Sequence, residues 1–221
     1  MIKKEYHHGD LKKEFIQIAL DFIAKDDVDK LTLKILSGST GTSRSAIYKH
    51  FKNKDALIEK IIEYGFEIFN DKMVAILKDD SITLVDKIYL TGKLYIDFAK
   101  INPNLYRLLF CKKYAHIGDE MMNNAHKKDS AFWELKKVVE YGQKENILRK
   151  NDSYKQTLVI WSSMHGFSSF IIDSFMDVSE IYEDIYIDMF ETLLAGMVTS
   201  KDKLISTIPL LNRFLEPIRC E

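Results

Sequence analysis

A chain of 221 residues that is 46% hydrophobic and 29% charged can build a sizeable core, which excludes bulk disorder. Its formal net charge of -1 gives no overall pull toward a polyanion, so any nucleic-acid surface must be local. Three prolines and nine glycines are few for this length and favour long helices over a turn-rich sheet protein.

The opening Met1-Ile2-Lys3-Lys4-Glu5-Tyr6-His7-His8 turns polar at once and lacks the apolar centre of a signal peptide. Leu11, Phe15, Ile18, Ala19 and Phe22 then recur at helical spacing, which predicts a first amphipathic helix over about 10–25. After the polar run 25–30, Thr32 is placed to cap a short helix ending near Ser39. Gly41 follows as the residue best able to turn left-handed. Ser43 can cap a third short helix to about Phe51, and Asn53 a fourth, with Asp55 complementing its dipole. The fourth helix keeps its apolar period through Leu57, Ile61, Ile62, Ile68, Phe69, Met73 and Ile76. Further helices are predicted over about 84–100, 105–112, 130–145, 153–175, 179–198 and 204–215, with a loop over 113–128. No run alternates as a strand would. The expected fold is all-α, with an amino-terminal helix-turn-helix domain joined by a long helix to a larger helical domain.

No segment approaches the ~18 consecutive apolar residues of a membrane span. Cys111 and Cys220 lie far apart, with neither zinc-site spacing nor a disulfide framework. His116, Glu120 and His126 are too loosely spaced to argue for a metal. There is no nucleophile–base pair and no phosphate loop, so no enzyme activity, metal or cofactor is expected. A cytoplasmic protein that does not enter the membrane is the expectation.

The charge is not evenly spread. Between Lys30 and Lys54 stand six cations (Lys30, Lys34, Arg44, Lys49, Lys52, Lys54) and no carboxylate, whereas 25–29 and 55–63 are acid-rich. Such a strip suits phosphates, although on charge alone it could equally be a solvated face. Thr42, Ser43, Arg44, Ser45 and Tyr48 give the third helix a polar front, with Ala46, Ile47 and Phe51 behind it. Small polar residues let a helix enter a major groove, and arginine can donate two bonds to guanine. Tyr48, Lys49, His50 and Lys54 sit where that helix ends and the next begins, a place suited to gripping phosphate. His50 could instead be a structural cap, but its place beside Tyr48 favours the phosphate.

The run from Leu31 to Leu57, with Gly41-x-Ser43, Tyr48-x-His50-Phe51 and Lys54-x-x-Leu57, resembles the helix-turn-helix of the TetR family. Tyr6-His7-His8-Gly9-Asp10-Leu11 is similar to the opening of one branch of that family. The likeness covers about 6–69. It departs at Ser37 and Thr40, where small apolar residues are usual, at Thr42, where Val is common, and at Asp27, where a helix-ending Gly is often found. In the rest of the chain Trp161-x-x-x-His165-Gly166 is similar to a carboxy-terminal signature of the same branch.

The resemblance implies a transcriptional regulator, most simply a ligand-released repressor, with a DNA-binding domain over 6–69 and an effector-binding and dimerisation domain over 70–221. Its DNA-contacting set is Thr32, Lys34, Thr42, Ser43, Arg44, Ser45, Tyr48, Lys49, His50 and Lys54, with Thr42 and Arg44 reaching bases. The expected partners are a double-stranded operator, a small-molecule effector and a second copy of the chain. Helices 153–175 and 179–198, apolar over a wide arc, would form the dimer interface. Candidate effector contacts are Phe69, Met73, Tyr95, Phe98, Tyr106, Phe110, Phe132, Trp133, Trp161, Met164 and His165. For Trp161 and His165 the plainer reading is packing, with the imidazole bonded to a buried carbonyl and Gly166 allowing close helix approach. A helical enzyme with a relic amino-terminal domain, an activator, and a regulator answering to a protein partner are the alternatives.

Overall fold

The computed structural model describes residues 11–118, 130–174, 177, 178 and 180–200. His7, His8, Glu120, His126, Cys220 and the helix expected over 204–215 lie outside them. Among the described residues the chain is helical, with no strand beyond one isolated antiparallel bridge between Leu148 and Val198. The helices are α1 (Leu11–Ile23), α2 (Leu33–Ser39), α3 (Arg44–Tyr48), α4 (Lys54–Lys78), α5 (Leu84–Ile101), α6 (Pro103–Leu109), α7 (Ala131–Lys144), α8 (Ser153–Ile172) and α9 (Tyr182–Ala195). The described residues fall into two compact units, one within Met1–Glu67 and Asn102–Met121, the other within Ile68–Ile101 and Met122–Glu221.

In the first unit α1 buries Leu11, Phe15, Ala19 and Ile23, four residues at one helical period. They share a core with Leu31, Leu33, Leu36, Ile47, Phe51 and the buried side of α4. Phe51 meets Phe15 edge to face at 6.3 Å between centroids. Asn104, in the first turn of α6, donates from Nδ2 to the Ile23 carbonyl at 2.9 Å and thereby satisfies an otherwise open end of α1. Leu105 and Leu109 of the same helix lie against Gly65.

Several boundaries differ from the sequence expectation: the helix expected over 153–175 ends at Ile172, the one expected over 179–198 spans Tyr182–Ala195, and three further differences have a local reason. Helix α6 begins at Pro103 rather than near Leu105, because the first helical position has no use for an N–H. Helix α3 ends at Tyr48 rather than Phe51, where the amides of Lys49 and His50 reach back three residues, to the carbonyls of Ala46 and Ile47, and tighten the last turn. The stretch expected as a loop from 113 instead forms a 3-10 turn at Lys112–Tyr114 and a helical stretch at 115–118.

In the second unit α5 is capped by Thr83, whose hydroxyl also bonds the Asp86 side chain. Thr83 Oγ1 accepts from the Asp86 amide at 3.2 Å and donates to Asp86 Oδ2 at 2.6 Å. Helix α5 packs on α7 and α8. Gly92 is what lets α8 and α9 come so near: a Cβ there would stand 2.8 Å from Met164 Sδ and 2.6 Å from Tyr186 Oη. Gly166, expected to permit a close approach, instead faces open space. Helix α9 buries Tyr186, Phe190 and Leu194 at a four-residue spacing and sets the Tyr186 ring tilted and the Phe190 ring edge-on against Tyr89, each at 5.0 Å. The Tyr186 hydroxyl donates to the Tyr89 carbonyl. After α9 the chain clips onto the α7–α8 connection, where Arg149 N–H donates to the Met197 carbonyl at 2.7 Å and Thr199 N–H to Ile147 at 3.0 Å.

Gly142 tests the packing of α7. A Cβ there would sit 2.7 Å from Leu84 Cδ1 and 2.8 Å from Leu148 Cγ, both in buried side chains. Alanine brings about 1 kcal/mol to a helix interior, but overpacking costs about 1–3 kcal/mol. Gly142→Ala should therefore be less stable in urea titration despite its better helix propensity.

Candidate functional sites

The polar front of α3 depends on how the preceding turn is closed. Thr32 caps α2 as expected, its hydroxyl accepting from the Ile35 amide at 3.2 Å. At the other end Gly41 adopts φ +65°, the Thr42 amide reaches the Ser37 carbonyl at 3.1 Å and the Gly41 amide the Gly38 carbonyl at 3.3 Å. This is a Schellman closure, which needs a residue at ease in the left-handed region. It turns the chain straight into α3. Ser43 occupies the N-cap position but makes no capping bond; its Oγ pairs with Ser45 Oγ at 2.8 Å.

The family departures have simple explanations. Ser37 and Thr40 are buried, yet their hydroxyls donate to the carbonyls of Lys34 and Leu36 at 3.0 and 3.1 Å, so they fill the space of small apolar residues at no polar cost. Thr42 Oγ1 lies 2.7 Å from Thr40 Oγ1. Asp27 accepts from the Asp29 amide at 2.8 Å and caps the 3-10 turn Val28–Lys30, so no helix-ending glycine is needed.

Thr32, Lys34, Ser43, Ser45, Tyr48, Lys49 and Lys52 are exposed, and Thr42, His50 and Lys54 half-buried. Ile47 and Phe51 are buried behind them. Tyr48, an aromatic ring 58% exposed, has no packing reason to be there. The Arg44 side chain lies outside the described part of the structure, though its backbone opens α3. The His50 ring leans on Phe15 at 6.0 Å and on Phe51 at 6.5 Å, which fixes the imidazole against the core of the unit.

The six cations are not equivalent. Lys30 is paired with Asp26 at 2.7 Å, and Lys54 donates to the Asp29 carbonyl at 2.8 Å, spanning from the start of α4 to the turn after α1. Lys34, Lys49 and Lys52 are exposed and have no acidic partner among the described residues. Next to Lys54, Asp55 accepts from Lys113 Nζ at 2.9 Å and from Tyr114 Oη at 2.8 Å. Those two bonds hold its carboxyl below the ordinary aspartate range. The start of α4 is thus tied to the turn at 29 and to the segment 113–114, contacts too distant in sequence for periodicity to reveal.

A second concentration of candidates lies in the other unit. Phe69 meets Tyr95 at 4.8 Å and Phe98 at 4.9 Å, and Trp161 stands 5.3 Å from Tyr95 and 5.7 Å from Phe132. Phe132 continues to Trp133 at 5.6 Å. Met73 and Met164 are buried in the same unit. The expected set is not all brought together, however. Tyr106 and Phe110 belong to the first unit, ring to ring at 4.8 Å, with Phe110 edge-on to Phe66. His165 bonds through Nδ1 to Tyr95 Oη at 3.0 Å rather than to a backbone carbonyl. Burial pushes its pKa below the ordinary 6.5.

Among the described residues no three His, Cys, Asp or Glu side chains are grouped to hold a metal, and no helix is long and apolar enough to cross a membrane. Residues 15–61 match the family model for bacterial regulatory proteins of the tetR family, and 89–197 match the tetracyclin repressor-like carboxy-terminal domain. The nucleoid occlusion factor SlmA of Escherichia coli O1:K1 is 29% identical over 110 residues, 49% of this chain and 55% of that protein. The chain thus spans about half the length of the curated relatives it matches. Among solved structures, a protein of unknown function from Rhodococcus sp. RHA1 superposes with TM-score 0.72 at 20% identity, covering 89% of this chain and 100% of the other. A transcriptional regulator from Cytophaga hutchinsonii gives 0.68 at 18%, covering 86% and 100%. A TetR/AcrR-family regulator from Thermobifida fusca gives 0.66 at 15%, covering 85% and 98%. At these identities the solved structures establish the fold alone.

Two measurements follow from the local chemistry. Thr32→Ala removes the α2 cap and should cost about 1 kcal/mol, with faster amide exchange at Ile35. The His165 imidazole should titrate below 6.5 by NMR. The unfolded chain then binds the proton first, so stability falls as pH drops from 6.5 toward the folded pKa and levels off below it.

Proposed function

The chain belongs to the TetR family of DNA-binding regulators, and we propose that it is a repressor that grips a pseudo-palindromic operator as a homodimer and lets go when a small molecule binds. The observation that carries the reading is the exposed, carboxylate-free face of α3 and its flanks, backed by buried Ile47 and Phe51 and set by the Gly41 turn. In this proposal Arg44 and Thr42 read bases, with Ser43 and Ser45 close to the groove. Lys34, Tyr48, Lys49, His50 and Lys54 meet phosphates, with Thr32 at the α2 terminus beside them. The Lys54 bond to Asp29 uses one of three ammonium protons, which leaves two for a phosphate oxygen.

The functional division proposed is 6–69 for DNA and 70–221 for effector and dimer. Support for dimerisation comes from α8, where Leu158 and Val159 are 45% and 50% exposed, an apolar surface a single chain leaves uncovered. Helices α8 and α9 of two copies would cover it around a two-fold axis. Half-sites would lie about 34–36 Å apart, or a multiple of that. The effector must bind the DNA-competent and released states with different affinity, since equal binding shifts no equilibrium. The protein would work in the cytoplasm as a regulator, not an enzyme. A ligand-responsive activator shares the same DNA chemistry, and transcription from the bound promoter separates the two.

The test compares operator with random duplex by gel shift across salt concentrations. Arg44→Ala should cost about 1–3 kcal/mol on operator and much less on random DNA. Lys34→Ala should weaken both alike and lower the salt slope by about 1. Equal losses on both duplexes for Arg44→Ala would remove it from the base-reading set.

A further inference from the structure

A second stretch free of carboxylates lies well outside the helix-turn-helix. Residues 102–118 hold Arg107, Lys112, Lys113 and His116 but no Asp or Glu. They fall in the same compact unit as α1, α2 and α3. Lys112, Lys113 and His116 are exposed, and Lys112 has no acidic partner among the described residues.

The fold carries this stretch to one end of α4. Leu105 and Leu109 of α6 lie against Gly65, and farther along the chain a Cβ at Gly118 would stand 3.2 Å from the Phe66 ring. Between those two contacts the 3-10 turn Lys112–Tyr114 meets Asp55 in the first turn of α4. Lys113 Nζ donates to Asp55 Oδ1 at 2.9 Å and Tyr114 Oη donates to it at 2.8 Å. Asp55 lies ten residues before Gly65 on α4, about 15 Å along the helix axis. After α6 the chain thus leaves the middle of α4, dips to its amino-terminal end and returns. That end follows α3 and carries Lys54, the neighbour of Asp55 in sequence.

We infer that the turn Lys112–Tyr114 is a further phosphate-contact surface, through which Lys112 and Lys113 hold the DNA backbone on the flank of the half-site; the inference rests on reading the first unit as the DNA-binding domain. The bond to Asp55 uses one of three Lys113 ammonium protons and leaves the side chain 67% exposed. The Lys112 side chain serves no bond of the described fold, so its charge is at the disposal of a partner. The surroundings point the same way. Asp55, Glu59, Glu63 and Glu67 recur every four residues along one side of α4. Of these four only Asp55, at the end nearest α3, is bonded from the basic turn. A cationic turn set at that end alone offsets the carboxylate that would most repel a duplex and adds an unpaired lysine beside it.

The test measures binding of the full chain to a random-sequence duplex of about 40 base pairs, some four helical turns, by fluorescence anisotropy from low salt upward. Lys112→Gln should lower the slope of log affinity against log salt by about 1, the mark of one lost phosphate contact. Lys150→Gln removes an exposed lysine of the second unit and the same net charge, and should leave the slope unchanged. Lys113→Gln is made in an Asp55→Asn background, where no bare carboxylate is left to repel the duplex, and should again lower the slope by about 1. An unchanged slope for Lys112→Gln, or an equal fall for Lys150→Gln, overturns the inference. An unchanged slope for Lys113→Gln in the Asp55→Asn background reduces Lys113 to a partner of Asp55 and overturns its contact. Because Lys112→Gln breaks no bond of the described structure, it decides the matter even where a Lys113 variant fails to fold. Wild-type binding with unaltered slopes strikes out this surface alone, whereas a wild-type chain that binds no duplex takes the regulator reading with it.

Discussion

The presentation of α3 depends on its anchoring by two buried side chains. A helix of five residues cannot persist on its own, because nucleation costs more than one turn of hydrogen bonds returns. Ile47 is fully buried and Phe51 packs edge-on to Phe15, so the core of the first unit holds the helix in place. Everything on the opposite face is then exposed by default. Small hydroxyl residues and an exposed tyrosine occupy that face, and neither burial nor helix propensity explains them. The Schellman turn at Gly41 sets the direction in which the face points, and the cap at Thr32 keeps the preceding helix short enough to reach it.

The two units solve different packing problems. In the first, short helices are closed by side-chain caps, and long-range polar bonds from Asn104, Lys54 and Asp55 hold its ends. In the second, long helices come close because Gly92 and Gly142 remove side chains at the crossing points. Charge then locks α9 to α5: Lys93 bonds Asp97 at 2.6 Å and lies 3.5 Å from Glu183, while Lys100 stands 2.9 Å over the Tyr182 ring. Such partly exposed pairs contribute little to stability. Their geometry nevertheless fixes which side of α9 faces α5, and the buried stripe of Tyr186, Phe190 and Leu194 follows the same side.

Legibility from sequence tracks the range of the interaction. Thr32, Gly41, Asn53 and Asp55 were readable because caps and turns are decided within about four residues. The helix periods were readable because burial selects one face. What escaped was non-local. Nothing near Lys54 says that its ammonium reaches back to residue 29, or that Asp55 is bonded by residues 113 and 114. Tyr106 and Phe110 look like any other aromatics of a helical domain, yet they pack in the first unit, because α6 folds back there through Asn104 and Leu109. Gly166 was misread for the same reason. A glycine in a helix advertises room, and only the three-dimensional crossing shows whether anything uses it.

The distribution and pairing of its charges let a nearly neutral chain meet a polyanion. One of the six cations in the strip, Lys30, is paired with Asp26, so the local field is smaller than a count of the sequence suggests, whereas Lys54 keeps its charge because it bonds only a backbone carbonyl. In the proposed role the exposed Lys34 and Lys49, with Arg44 and Lys54, carry the attraction to phosphates, and the exposed Lys52 adds to the field. Two acidic residues just outside the strip are paired with lysines, Asp26 with Lys30 and Asp55 with Lys113. Each lysine offsets the carboxylate it pairs with, which lessens the repulsion flanking the strip. In the proposed role, specificity comes from the side chains that α3 exposes, because so modest a field would hold random duplex only weakly.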